Sequence, residues 1–241
     1  MSVQVRADYP RLGPLLARAF DEALYATVGS WPVVLILVVV SAAGAAQGTG
    51  ALALNICTIP WAYFAGANAV RTISPGYRMT AGTVGRLLLA NIIACFAVVF
   101  GLLALVWPGF YFGTKFSVAP AAIALDGVTA EVGLRRSWEL TTGRFWRTFL
   151  FLVVSTIAIA LAVLIPDLVV IVSWKLLVAH HLVAPTRNQA LAVGIAIIAP
   201  FVMYAIQTGW IALLYWYRSL KAMADAGLQA RPAPPSSGAG T

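Results

Sequence analysis

The chain has 241 residues, 61% of them hydrophobic and only 10% charged, where a soluble domain carries about 25% charged residues. That composition excludes an ordinary water-soluble fold. The formal net charge of +8 has to be weighed against loop position before it says anything about nucleic acid. Long apolar stretches alternate with short polar ones, and about 20 helical residues cross a hydrocarbon core of roughly 30 Å. The expectation is an all-α, polytopic transmembrane helix bundle forming one domain over 1–227.

Residues 9–27 bring Leu12, Leu15, Leu16, Ala19, Phe20 and Leu24 together at helical spacing, with Arg11, Arg18, Asp21 and Glu22 elsewhere. This predicts an amphipathic helix along the cytoplasmic interface. The first apolar run begins only near Trp31, behind this charged segment, so no cleavable signal is expected. Six spans follow, at about 28–46, 51–70, 87–107, 110–125, 148–165 and 189–215. Gly48-Thr49-Gly50 is the first hairpin turn, Pro75-Gly76 marks the next loop, and Pro108-Gly109 and Pro166-Asp167 close the third and fifth spans. Residues 168–183 are read as an outer-leaflet or re-entrant helix, and Pro200 as a kink in the sixth span. The tail at 228–241 is rich in Pro, Ser and Gly and is expected to be disordered.

Charge tests this map. With the N-terminus inside, every lysine and arginine except Lys115, Lys175 and Arg187 falls on the inner side. That is the positive-inside pattern, and it puts both termini in the cytoplasm. Trp31, Trp107, Trp138, Trp146, Trp174 and Trp216 fall at predicted span ends, where the headgroup region favours an amphipathic ring. Trp61 is mid-span and is assigned to helix packing.

Basic residues crowd into one stretch, "VGLRRSWELTTGRFWRTF" at 132–149. Glu131, Arg135 and Glu139 form an i, i+4 ladder, and Ala130, Leu134, Trp138 and Thr141 an opposite apolar stripe. This predicts a cytoplasmic interfacial helix that Gly143 ends before the fifth span. Its arginines have two readings: topology alone, or contact with anionic lipid or a partner protein through Arg135, Arg136, Trp138, Arg144, Trp146 and Arg147. Nucleic acid is not expected, since the basic residues are spread over all the inner segments and leave no separate basic domain.

Lys115 lies inside the predicted fourth span, and an intramembrane lysine needs a partner or a route to water. It either pairs with Asp167 in the outer leaflet or snorkels to the headgroups. Asn55, Asn68, Asn91 and Gln207 are intramembrane amides, which mostly bond between helices. Gly44-x3-Gly48 and Gly109-x3-Gly113 permit close helix approach. Cys57 and Cys95 read as packing residues, and His180-His181 as a solvated interfacial pair rather than a metal or tetrapyrrole site. Catalytic motifs are absent; neither enzymatic activity nor a cofactor nor a metal is expected.

Two stretches resemble a known family. "RLGPLLARAFDEALY" (11–25) and "KFSVAPAAIALDGVTAEVGLRRSWELTTGRFWRTF" (115–149) are similar to the membrane domain of the bacterial glycerophosphoryl diester phosphodiesterase family and to related six-span proteins of the YciC type. The matching positions are Lys115, Ala119-Pro120-Ala121, Asp126-Gly127, Arg136-Ser137-Trp138 and Gly143-Arg144-Phe145-Trp146. The resemblance implies a multi-pass protein of the bacterial cytoplasmic (inner) membrane. It implies no phosphodiesterase activity, because the soluble catalytic domain of some members has no counterpart here.

The expected function is a non-enzymatic scaffold or accessory subunit of a membrane complex, contacting anionic lipid headgroups and a membrane-protein partner. The competing reading is a transporter or lipid-handling protein with a polar pathway along Lys115, Asp167, Asn55 and Asn91.

Overall fold

The computed structural model describes residues 11–47, 50–74, 80–104, 106–179 and 186–229. Among them the chain is all-helical: α1 (Leu12–Gly29), α2 (Trp31–Ala46), α3 (Gly50–Ile73), α4 (Ala81–Ala104), α5 (Val106–Phe116), α6 (Ala119–Asp126), α7 (Ala130–Thr141), α8 (Phe145–Ala179) and α9 (Arg187–Gln229). Three of these carry stretches long and apolar enough to cross a bilayer: Ala81–Leu103, Phe145–Ile165 and Ala192–Ala226. A fourth candidate is the pair Leu12–Gly29 and Trp31–Val40, bent by 75°.

α9 is the axis of the bundle. α1, α2, α3 and α8 pack around it, while α4, α5 and α7 form a wing that reaches it mainly through α6. Composition explains why α6 can be that bridge. Its sequence APAAIALD is mostly alanine, and small side chains let helices approach closely. Ala121, Ala122 and Ala124 are buried against Ile211, Leu214 and Leu220 of α9, while Ala119 and Ile123 pack on Leu87 and Leu134 of the wing. A Cβ at Gly133 of α7 would come within 2.4 Å of Ile123, so this crossing needs glycine. Pro120 sits in the first turn of α6, where no backbone hydrogen bond is lost. Gly127, at φ 65°, ends the helix in the left-handed region.

The bend after α1 has a local cause. At Ser30 the backbone N–H turns to the Thr27 carbonyl, which frees the Ala26 carbonyl of its usual helical donor. Asn68 of α3 supplies the replacement, donating to Ala26 O at 3.2 Å and to Ser30 Oγ at 3.0 Å. Tyr204 donates to the Phe20 carbonyl, and Leu16, Ala19 and Ala23 are buried in the main core. The amphipathic helix expected at 9–27 is thus α1, docked on α9 by its apolar face. Trp61, the mid-span exception, is fully buried and donates from Nε1 to the Met203 carbonyl at 2.9 Å.

Several expectations are corrected. The stretch 110–125 is not one straight span; it divides into α5 and α6 around Ser117-Val118. Pro108-Gly109 does not separate helices but lies in the first turn of α5, the position where proline is tolerated. The helix at 145 does not stop at Pro166-Asp167 and runs to Ala179, so the part of 168–183 that is described continues α8 rather than forming a separate helix. With 35 and 43 residues, α8 and α9 are about 52 and 64 Å long at 1.5 Å per residue, well beyond one hydrocarbon thickness. Trp216 is buried and stacks on Phe151, with ring centroids 4.6 Å apart.

Candidate functional site

The arginine-rich stretch forms a helix, α7 (Ala130–Thr141). Thr129 caps its start by accepting from the Val132 N–H, and Gly143, at φ 76°, turns the chain into α8. Its two faces behave as their residue types dictate. Ala130, Leu134 and Thr141 are buried; Arg135 and Glu139 form the exposed end of the ladder, Nε to Oε1 at 3.0 Å.

Below one side of α7 lies a carboxylate that the sequence reading did not single out as a site. Asp126, at the end of α6, is ion-paired with Arg136 of α7 and accepts from the hydroxyl of Tyr217 on α9. Its two oxygens also take the Lys221 ammonium at 3.1 and 3.3 Å. One residue on, the Gly127 carbonyl accepts from Arg86 of α4 at 2.6 Å. Four helices therefore meet on two residues. Burial works to raise the Asp126 pKa, but the hydrogen bonds from Tyr217 and Lys221 and the charges of Lys221 and Arg136 together hold it below its ordinary value of 3.8. A 330 Å³ polar cleft opens beside this node, bordered by Ser74, Asp126, Arg218 and Lys221. Tyr217 and Lys221 are four residues apart on one helix and so share a face. That spacing, with a lone aspartate closing an apolar run, was the signal in the sequence.

On the other side of α7 sits Lys115. It is only 3% exposed. Its ammonium donates to Thr142 Oγ1 at 2.9 Å and lies 5.0 Å from the Trp138 ring and 5.5 Å from the Tyr111 ring. Ser137 donates to the Lys115 carbonyl, pinning α5 to α7. Among the described residues no carboxylate neutralises this lysine. Rings surround it: Phe116 and Phe112 also contact Trp138, and Phe145 stacks on Tyr111. The outer-leaflet pairing with Asp167 is replaced by this cage at the elbow. Asp167 itself lies roughly 33 Å along α8 from Phe145, at about 1.5 Å per residue.

The remaining sequence-picked residues fall in different places. Arg144 meets the Met223 carbonyl at 3.5 Å, and Trp146 is 65% exposed with its ring 6.1 Å from that of Trp107. Arg147 is exposed on the first turn of α8. Asn91 borders a 410 Å³ crevice between α3, α4, α6 and α9, with Tyr63 and Trp210, and so lies apart from Lys115. Gln207 is fully buried with both amide atoms unbonded among the described residues. The side chains of Asn55 and Asp167, and His180-His181, lie outside the described residues. Among the described residues no three His, Cys, Asp or Glu side chains converge on a point that suits a metal ion.

Among the described residues the arrangement offers charge and apolar surface. One end of the bundle collects Arg86, Arg136, Arg144, Arg218 and Lys221, joined by the contacts above and by Arg218 to Ser74. Asp126 neutralises part of that charge, while Lys115 and Arg144 meet neutral groups among the described residues. No family model, curated protein or solved structure matches this chain.

Proposed function

We propose that this chain is a non-enzymatic scaffold or accessory subunit of a bacterial inner-membrane complex, with its basic elbow on the cytoplasmic side contacting anionic lipid and a membrane-protein partner. The observation that carries this reading is the gathering of cations from α4, α7, the α7–α8 turn and α9 at one end of an apolar bundle, with the half-buried Asp126 carboxylate among them. That end is where positive-inside topology puts a cytoplasmic surface, and each basic residue near a membrane surface adds about 1 kcal/mol of attraction to anionic lipid. That both termini lie inside belongs to the same proposal; six full crossings do not, because Trp107, at the far end of the expected third span, and Trp146, at the start of the expected fifth, lie with their ring centroids 6.1 Å apart, on one level of the bundle.

The second reading, a transporter or lipid-handling protein, draws on the crevice bordered by Asn91. Lys115 does not border that crevice, which weakens the polar pathway this reading needs. Extraction of the full chain into native nanodiscs, followed by mass spectrometry of retained lipids and proteins, tests both. Enrichment of anionic phospholipid over the surrounding membrane, together with a stoichiometric protein partner, is the expected result. A lone monomer with no lipid enrichment overturns the scaffold reading.

A further inference from the structure

A groove of 440 Å³ runs between α4, α5 and α8, walled by Val98 and Leu102 on one side, Gly113 beneath, and Phe149, Val153 and Ile157 on the other. That volume lies within the range of small-molecule sites, roughly 300–1,000 Å³, and the lining is almost wholly apolar. Its origin is legible in the glycines. Gly101 and Gly109 draw α4 and α5 together so tightly that a Cβ on Gly101 would come within 2.8 Å of the Gly109 nitrogen. This pulls α5 against α4. α5 meets α8 through rings near the start of each helix, with Trp107 against Trp146, Phe110 against Phe149 and Tyr111 against Phe145. Beyond Phe149 the wedge stays open. Gly113 keeps the floor low, because a Cβ there would meet only Val98, at 3.7 Å.

The groove follows α8 from Phe149 to Ile157, inside a stretch apolar enough to cross the bilayer. Water does not fill an apolar slot of this kind, and an empty one forfeits the dispersion contacts of its walls. At the end closed by the rings lie two exposed tryptophans, Trp107 and Trp146, of the kind that sit at headgroup level. Tyr111 and Phe145 link Trp146 to Lys115, which is one residue from Thr114 of the groove wall and whose charge is met, among the described residues, by a hydroxyl and two ring faces. An apolar slot ending beside an uncompensated cation complements an amphiphile with a negative head.

We propose that this groove is a binding site for one anionic phospholipid, with an acyl chain between α5 and α8 and its phosphate at the Trp107–Trp146 mouth in the field of Lys115. The proposal rests on the reading of the elbow as an anionic-lipid surface and names the occupant and its seat.

The test uses the full chain in nanodiscs of phosphatidylcholine doped with phosphatidylglycerol, with retained lipid counted by native mass spectrometry. Two variants fill the groove from different walls, Gly113→Leu and Val153→Phe, and Lys115→Gln removes the charge. The wild type is expected to keep one phosphatidylglycerol per chain. Either filling variant should lower retention of both lipids about fivefold or more, whereas Lys115→Gln should keep a lipid but lose about fivefold in preference for the anionic one, the worth of one basic residue near a surface. Retention unchanged in a filling variant that melts like the wild type overturns the groove site. A wild-type mass of two chains that falls to one in Gly113→Leu also overturns it, assigning the groove to a second copy. Anionic preference that survives groove filling sinks this inference and leaves the elbow reading standing; a wild type with no anionic preference at all sinks both.

Discussion

Two ionisable groups flank α7, the buried Lys115 and the half-buried Asp126, and the protein treats them in opposite ways. Asp126 is surrounded by Arg136, Lys221 and Tyr217, so its charge is fully matched and three helices close on it. Lys115 has a hydroxyl and ring faces and, among the described residues, no anion. A buried charge stripped of its partners costs several kcal/mol, so a matched cluster holds elements in place. A charge left unmatched contributes little to holding the fold and leaves a field for something else to answer. The first group therefore reads as a structural clamp, the second as the charge on which the proposed lipid site depends.

The largest effect should come from breaking the clamp. Asp126→Asn leaves Arg136 and Lys221 facing each other without an anion; both cations are more than a third exposed, so solvent screens part of the loss, and the cost should be about 2 kcal/mol, between the scales of a surface pair and a buried one. Thermal or denaturant melts in detergent read it directly. A double-mutant cycle of Asp126→Ala with Arg136→Ala should give a coupling of roughly 1–3 kcal/mol, and strict additivity would show that the pair is an accident of geometry.

The same group sets an acid limit. Its folded pKa lies below 3.8, so the stabilisation it contributes is present above the unfolded value and is lost as pH falls through the folded one. Melting temperature should drop more steeply for the wild type than for Asp126→Asn as pH is lowered below about 4. Parallel curves for the two proteins would mean that another carboxylate governs the acid transition.

This clamp was also the least legible part of the molecule. Helix content, the amphipathic α1, the helix α7 and the turn at Gly143 follow from local spacing and turn chemistry, which one stretch of sequence carries whole. Asp126 meets Tyr217 and Lys221 from about ninety residues away, and nothing local predicts which of several basic residues will face it. Lys115 misled for a related reason. The run 110–125 is apolar enough to look like a span, and the break at Ser117-Val118 that turns Lys115 toward Thr142 depends on how closely alanine-rich α6 seats on α9. Pro166 likewise looked like a stop, yet the helix runs through it to Ala179.

The turn between the two regions should give a middle-sized effect. Gly143 sits at φ 76°, and a Cβ added there would have nothing within 4 Å, so Gly143→Ala meets no clash and costs only the strained backbone, about 1 kcal/mol. A loss beyond about 3 kcal/mol in a urea or thermal series would show that the elbow between α7 and α8 is packed more tightly than this geometry implies.

The smallest effect on stability is expected at Lys115 itself, and it is the sharpest test of the contrast. Lys115→Met keeps the long unbranched stem against Tyr111 and Trp138, loses one hydrogen bond to Thr142, and removes the desolvation of an unmatched ammonium. A hydrogen bond from an ammonium is worth about 1.5–3 kcal/mol and a cation–π contact about 1 kcal/mol, and the relief of burying an unmatched charge, several kcal/mol, opposes them. The expected change is within about 1 kcal/mol of the wild type in either direction, far from the loss at Asp126. Combined with Asp167→Ala, it should be additive, since the Lys115 ammonium is spent on Thr142. A loss matching that of Asp126→Asn, or a strong coupling to Asp167, would mean that Lys115 has an anionic partner after all, and the division between clamp and lipid-facing charge would fall with it.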